Sequence, residues 1–433
     1  MKEIWQEVYG MQEELTARRR DLHRHPESAW TEFRTAAMVA TELARLGYEV
    51  YMGDAVMDEK EMMGVPSKEV LQSCMDRAIS EGADPALVAK MAGGKTGVMG
   101  VMHFAKPGKI LGLRFDMDSN EVVESTDPKH RPVAENFRSE HDGCMHACGH
   151  DGHVTVGLAT AKLIAERKDE MSGCVKFFFQ PAEEGVRGAR AMVASGIVDD
   201  VDYFLSGHIG FNADKDNELV CMTGGFLATS KLDAHFTGVS SHAGAAPEQG
   251  KNALLAAAQA AISLHTISRH GAGASRINVG VINAGTGRNV LPDVGEIKLE
   301  TRGANTDIND FMMQEAKRMI TASAAMYDVK VTTKEVGGAP ACELSEDMGK
   351  EIYKIASESG EFDLVVPFIS LGASEDCSYF MDRVQKNGGQ ANYMMYGTTL
   401  AAGHHNMAFD FNEKCLPKAV GILVTLALHF SNK

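Results

Sequence analysis

Val175-Lys176-Phe177-Phe178-Phe179-Gln180-Pro181-Ala182-Glu183-Glu184-Gly185 reads as a β-strand running into a carboxylate turn. Valine and phenylalanine favour a pleated, buried surface, and Pro181 cannot continue a hydrogen-bonded ladder. Two other apolar segments end the same way. Ile110–Phe115 runs into Asp116 and Asp118, and Tyr203–Leu205 is followed by His208. Apolar strands separated by helical segments predict an α/β sheet, and functional groups in such sheets gather beyond the carboxyl ends of the strands.

Toward the N-terminus, residues 32–46 place Phe33, Ala36, Ala37, Ala40, Leu43 and Ala44 on one helical face, and Gly47 stops the helix before strand-like Tyr48–Tyr51. Residues 52–93 read as an insertion with its own helix (Val70, Leu71, Cys74, Met75, Ala78, Ile79), a surface cap without chemistry. From about 226 the pattern changes. Strand-like Leu232–Thr237, an Ala-rich helix over 252–267, strands Ile277–Ile282 and Ile297–Thr301, a helix over 307–326 and a strand Val329–Thr333 follow in turn. That order is the ferredoxin-like one. It predicts an inserted α+β lid or dimerisation domain over 226–337, with the α/β domain formed by 1–225 and 338–433. The chain closes with strand-like Tyr393–Gly397 and a helix after 414.

Composition bounds the function. A chain of 433 residues accommodates two or three structural units. Its 44% hydrophobic and 24% charged residues are ordinary for a globular protein. A net charge of −16 disfavours nucleic acid or an anionic membrane as main partner. No apolar leader opens the sequence, and the apolar windows 253–265 and 420–430 are shorter than the ~20 residues that span a bilayer. A soluble, cytoplasmic protein is expected. Eight scattered cysteines do not make a disulfide framework. Cys74, Cys174, Cys221, Cys342, Cys377 and Cys415 are expected as buried small hydrophobes.

Cys148 has different company. His146-Ala147-Cys148-Gly149-His150-Asp151-Gly152-His153 packs three imidazoles, a thiol and a carboxylate into eight residues. In an extended segment Cys148 and His150 project to one side and can grip one metal ion. A structural zinc knuckle is the competing reading, although no CxxC exists to close it. Glu183-Glu184 reads either as a solvated turn or as a divided pair, one carboxylate ligating metal and its neighbour activating water. His208, His404 and His405 add imidazoles. Thiolate, imidazole and carboxylate together suit zinc or manganese.

DLHRHPE (21–27), DMD (116–118), MHACGHDGH (145–153), QPAEEG (180–185), GHIG (207–210), SSHAGAAPE (240–248), NVLP (289–292) and GASED (372–376) occur in this order. With them the chain resembles the dimetal aminoacylase and carboxypeptidase-type peptidases over essentially its whole length. It is most similar to their amidohydrolase branch, in which Cys-Gly-His replaces acidic ligands. The resemblance implies a metallopeptidase-type catalytic domain, a mixed sheet flanked by helices, with two Mn²⁺ or Zn²⁺ ions per chain. It implies Cys148, His150, Glu184, His208 and His405 as ligands. His405 is preferred over His404 from its spacing to Phe409. It implies Glu183 as general base, Asp118 as the carboxylate orienting a ligand, and His242 as the donor that reaches a partner's site. Asn289 and Arg302 would read the substrate's free carboxylate. Ser119-Asn120 departs from the Ala-Leu common in this branch, so a pocket wall is expected to differ. The insertion, VDDVDYF (198–204), DAHFTG (233–238), NALLAAAQA (252–260) and AAGHHN (401–406) resemble one member closely. That likeness implies hydrolysis of p-aminobenzoyl-glutamate to p-aminobenzoate and glutamate. Another N-acyl or N-aroyl amino acid is the alternative substrate, and membership of a heteromer without catalysis the alternative role. The lid implies a homodimer or a heterodimer with a related chain.

Overall fold

Ile110–Phe115 lies within a longer strand, Lys106–Asp116, in the computed structural model, which describes residues 2–433. That strand belongs to an eight-stranded mixed sheet. Its order is Glu49–Met52, Val98–His103, Ser172–Gln180, Lys106–Asp116, Tyr203–Ile209, Gln390–Tyr396, Glu218–Val220 and Leu364–Val366. The four central strands, from Ser172–Gln180 to Gln390–Tyr396, run parallel. Asp116 pairs with Gln180, so these two strands finish level and deliver their polar clusters to the same edge.

Burial explains why the centre is parallel. Strand Ser172–Gln180 buries Phe177, Phe178 and Phe179 completely, so apolar side chains point into both faces. Helices must then cover both sides of the sheet. Helix His150–Glu166 buries all but three of its 17 residues, and helix Cys415–Ser431 packs against it. Gly157 makes the close approach possible, since a Cβ there would sit 2.8 Å from the Phe115 ring. This sheet lies in a unit formed by the chain up to Gly224, Glu343–Leu371 and Asp376–Lys433.

A second unit comprises Gly225–Cys342 and Gly372–Glu375. Its elements are strand Ala228–Thr237, helix Ala253–Leu264, strands Ser275–Ala284 and Val294–Gly303, helix Thr306–Met326 and strand Lys330–Ala339. The last strand pairs antiparallel with the first, and the sheet order is the ferredoxin-like one. Its core is Ala-rich on one helix, with Ala253, Ala256, Ala257 and Ala260 buried against Phe236, Ile297 and Leu299.

Three local expectations need correction. The insertion carries two α-helices, Lys68–Ser80 and Pro85–Lys90, each with its own polar cap, Ser67 and Asp84. His208 sits inside strand Tyr203–Ile209 rather than after it, because the strand continues through Ser206 and Gly207. Of the six cysteines expected in the core, Cys74 and Cys342 are only half-buried. Cys74 lies on an insertion helix that buries only Leu71 and Ala78. Among the described residues no helix is long and apolar enough to cross a membrane.

Candidate active site

The turn after strand Ser172–Gln180 is held by carboxylates on its main-chain amides. Ala182, Gly185 and Val186 have φ of 53, 86 and 57°, and left-handed backbone at alanine or valine costs about 1–2 kcal/mol each. Glu32 Oε1 accepts the Ala182 N–H at 2.8 Å. Asp118 accepts those of Glu183 and Glu184 at 3.0 and 2.9 Å, one on each oxygen. Asp376 Oδ2 accepts the N–H groups of Gly188 and Ala189 at 3.1 and 3.0 Å. These bonds fix where the Glu183 and Glu184 side chains begin. Burial and the nearby Asp118 charge push Glu32 up to about 8.

Cys148 and His150 converge by a route different from the extended one expected. Gly149 adopts φ 94°, a left-handed turn that glycine enters without strain, and His150 is the first residue of helix His150–Glu166. His150 Nδ1–H donates to the Asp118 carbonyl at 2.8 Å, which leaves the Nε2 lone pair free. That Nε2 is buried and has no hydrogen-bond partner among the described residues. His208 is set up alike, with Nδ1–H donating to the Ile209 carbonyl at 2.8 Å and Nε2 3.4 Å from Cys148 Sγ. His405 Nε2 lies 3.3 Å from Glu184 Oε1.

Ligand atoms of His150, Glu183 and Glu184 lie within 4.8 Å of one another. So do those of Cys148, Glu184 and His405, and those of Cys148, His208 and His404. The groups share Cys148 and Glu184. His404 Nε2 already accepts the Phe211 N–H at 2.9 Å, whereas His405, at φ 63°, turns its ring toward Glu184. His153 also adjoins this cluster, but its Nδ1 faces Asp116 at 2.5 Å and its Nε2 accepts the Ile209 N–H at 2.9 Å. Both of its nitrogens are occupied.

The electrostatics ask for a cation. Burial by itself disfavours a charged imidazole at His150, yet Asp116, Asp118 and Glu184 override it and push its pKa up to about 10. Burial would raise Glu184, but His405 and His150 pull it down to about 2. His208 is driven well below its ordinary value by burial and by the His153 and His404 rings, so it is neutral. A buried lone pair without a partner, a neutral imidazole beside a thiol, and carboxylates that hold positive charge fit divalent metal. The sequence departure at Ser119-Asn120 also meets this cluster. Asn120 Oδ1 accepts the Ala147 N–H at 3.1 Å, and its amide donates to Glu184.

The remaining expected residues belong to the second unit. His242 Nδ1 accepts the N–H groups of Gly244 and Ala245 at 3.2 and 3.0 Å, so the ring proton sits on Nε2. Asn289 lies next to it, its carbonyl accepting the Ala243 N–H at 3.1 Å. Both side chains are exposed. Arg302, on strand Val294–Gly303, pairs with Glu300 at 3.0 Å.

Sequence reasoning missed the buried charges beneath the cluster. Fully buried Arg19 bonds Asp151 at 2.8 Å, Asp410 at 3.0 Å and Glu413 at 3.3 Å. His23 bridges Asp151 and Glu124 at 2.8 and 3.1 Å. Asp151 follows His150, and Asp410 ends the loop that carries His405. The signal available was the clustering of Arg19, His23 and Glu27 around DLHRHPE, which the resemblance matched without giving a role.

The family model for peptidase family M20/M25/M40 matches residues 112–429. The chain is 46% identical over 418 residues to indole-3-acetyl-aspartic acid hydrolase of Enterobacter agglomerans, covering 96% of each chain. It is 45% identical over 431 residues to a chain of the p-aminobenzoyl-glutamate hydrolase of Escherichia coli (strain K12), one of that enzyme's subunits, covering 99% of each. Among solved structures it is similar to the aminobenzoyl-glutamate utilization protein of Klebsiella pneumoniae, with 38% identity, a TM-score of 0.84, and 98% and 97% of the two chains covered. The family model spans more than half of the sequence, and both relatives align almost end to end. The chain therefore belongs to peptidase family M20/M25/M40 and is a hydrolase of amide bonds.

Proposed function

We propose that this chain hydrolyses the amide bond of p-aminobenzoyl-glutamate, releasing p-aminobenzoate and glutamate. The observation that carries the reading is the placement of Glu183 beside the joint cluster of Cys148, His150, Glu184, His208 and His405. Those five residues would hold two divalent ions, Mn²⁺ or Zn²⁺. Bound there, the ions supply Lewis-acid chemistry, acidifying water and stabilising charge on the amide oxygen.

The residues perform the rest. Glu183 takes a proton from the attacking water and returns it to the leaving amine nitrogen. Asp118 holds the Glu183 and Glu184 amides and the His150 ring in register. His242 offers its Nε2–H to the oxyanion, a donor of a kind worth about 3–4 kcal/mol. By the family resemblance that ring is supplied across a dimer, from a second copy or a related chain. Asn289 and Arg302 read the α-carboxylate, which displaces Glu300 from Arg302.

The second reading, indole-3-acetyl-aspartate as substrate, rests on the 46% identical relative. Both substrates join an aromatic acyl group to an acidic amino acid. The test is kcat/KM for each on the metal-loaded protein, with hippurate as control. A higher value for p-aminobenzoyl-glutamate is expected. Preference for indole-3-acetyl-aspartate by more than tenfold would transfer the assignment to it, and preference for hippurate would defeat both.

A further inference from the structure

Either substrate carries two carboxylates on its leaving amino acid, and Asn289 with Arg302 answers for one. The other must also be paired, because a carboxylate drawn out of water without a partner is expensive. The protein is a poor environment for it, with a net charge of −16. The cations around the Glu183-Glu184 turn are mostly spent. Arg114 pairs with Asp116 and Asp376, Arg190 with Glu61, and Lys95 with Asp54 and Glu59.

Arg187 differs. It is half-buried two residues beyond the turn's Gly185, and it makes no ion pair among the described residues. Its Nε donates to the Glu184 carbonyl at 2.9 Å, and Nη1 reaches the Gly64 carbonyl at 3.4 Å. Both acceptors are neutral main-chain carbonyls, so neither bond is an ion pair. Two of five guanidinium donors are used, and three remain, enough for a two-pronged grip on a carboxylate. The side chain lies over Gly185, where a Cβ would meet Nε at 2.8 Å and Nη2 at 3.2 Å. Its guanidinium is thus anchored to the main chain of Glu184, a member of the metal cluster.

Gly64 belongs to the insertion, which touches this corner at several places, the Asp58 N–H donating to the Ala191 carbonyl at 2.9 Å among them. Trp30 Nε1–H donates to the Met63 carbonyl at 2.8 Å, and Glu61 pairs with Arg190. The Arg187–Gly64 contact is another. The insertion therefore has a use beyond capping the surface, since it fixes one prong of Arg187.

We propose that Arg187, steadied by the insertion at Gly64, reads the side-chain carboxylate of an acidic leaving amino acid and so sets the enzyme's preference for glutamate or aspartate conjugates. The inference rests on the functional reading above.

The test compares p-aminobenzoyl-glutamate with p-aminobenzoyl-glutamine, in which an amide replaces the side-chain carboxylate at equal size. The quantity is the ratio of their kcat/KM values on the full-length, metal-loaded protein. The wild type is expected to favour the glutamate conjugate, and Arg187→Gln to lower that ratio by about 10- to 100-fold, chiefly through KM. Arg187→Lys should fall between, keeping charge without the fork. A structural role alone lowers both substrates equally and leaves the ratio unchanged, which would overturn the proposal. A wild-type ratio near one would also overturn it. Absence of release from both conjugates by the wild type would instead bring down the functional reading, and this inference with it.

Discussion

Asp118→Asn is the sharpest probe of how the turn positions Glu183. The carboxylate accepts the Glu183 N–H on Oδ1 at 3.0 Å and the Glu184 N–H on Oδ2 at 2.9 Å. It is fully buried. An asparagine of the same shape has one acceptor and one donor. In either flip, one of the two amides faces an NH₂ group. The substitution loses a charge-assisted bond, worth about 1.5–3 kcal/mol, and strands a buried donor at about 1–3 kcal/mol. The turn can relax by rotating the peptide whose N–H is freed, that of Glu183 or Glu184, while Glu32 still holds the Ala182 amide. Relaxation recovers part of the cost and moves Glu183 or Glu184. With about 3 kcal/mol left at the site, kcat/KM should fall about 10²-fold, each tenfold being about 1.4 kcal/mol. The assay is steady-state amide hydrolysis, with metal content measured on the same sample. Activity within threefold of wild type would show that the two amides do not depend on the carboxylate, and the positioning role of Asp118 would fall.

Glu183→Gln should retain metal and lose at least ~10²-fold in rate, since an amide cannot take the water's proton; near-wild-type turnover would remove Glu183 from the base position. Cys148→Ser should weaken metal binding, Zn²⁺ more than Mn²⁺, because it replaces the soft ligand; competitive chelator titration reads this, and equal affinities would show that Cys148 does not ligate. The buried network predicts an acid-labile fold. Burial raises Asp151, Asp410 and Glu413, but Arg19 and its neighbours outweigh it and hold all three below their ordinary values. Folded pKa values below the unfolded ones mean that the stabilisation is complete above about pH 4 and is lost as pH falls through the folded values. The urea midpoint should therefore drop steeply below about pH 4. Arg19→Met should lower the midpoint already at neutral pH, by about 3–5 kcal/mol of stability, because three carboxylates lose a shared buried partner. A flat acid profile would contradict the network's role.

The cluster at 145–153 and the carboxylate turn at 180–185 are legible because each is continuous in sequence and ends a strand or begins a helix. The parallel strands are legible from their apolar runs, although the run before His208 places that residue one element too late. Serine and glycine interrupt it at 206 and 207 while the strand continues. The route from Cys148 to His150 is not legible, because the left-handed turn at Gly149 is a backbone property and glycine permits the extended alternative equally well. Glu32, Asp376 and Arg19 are invisible for a different reason. Each acts on residues more than a hundred positions away, at Ala182, Gly188 and Asp151. No local spacing encodes such a contact. The use of the insertion is hidden likewise, since its Gly64 meets Arg187 across more than a hundred residues.

The decisive experiment takes the wild-type chain purified alone, stripped with chelator and reloaded separately with Mn²⁺ or Zn²⁺. Release of p-aminobenzoate from p-aminobenzoyl-glutamate is followed before and after reloading. The stripped protein should give no release, and activity should return with either or both metals, at about two ions per chain. Release that persists without metal would rule out a metal-dependent amidase built on Cys148, His150, Glu184, His208 and His405.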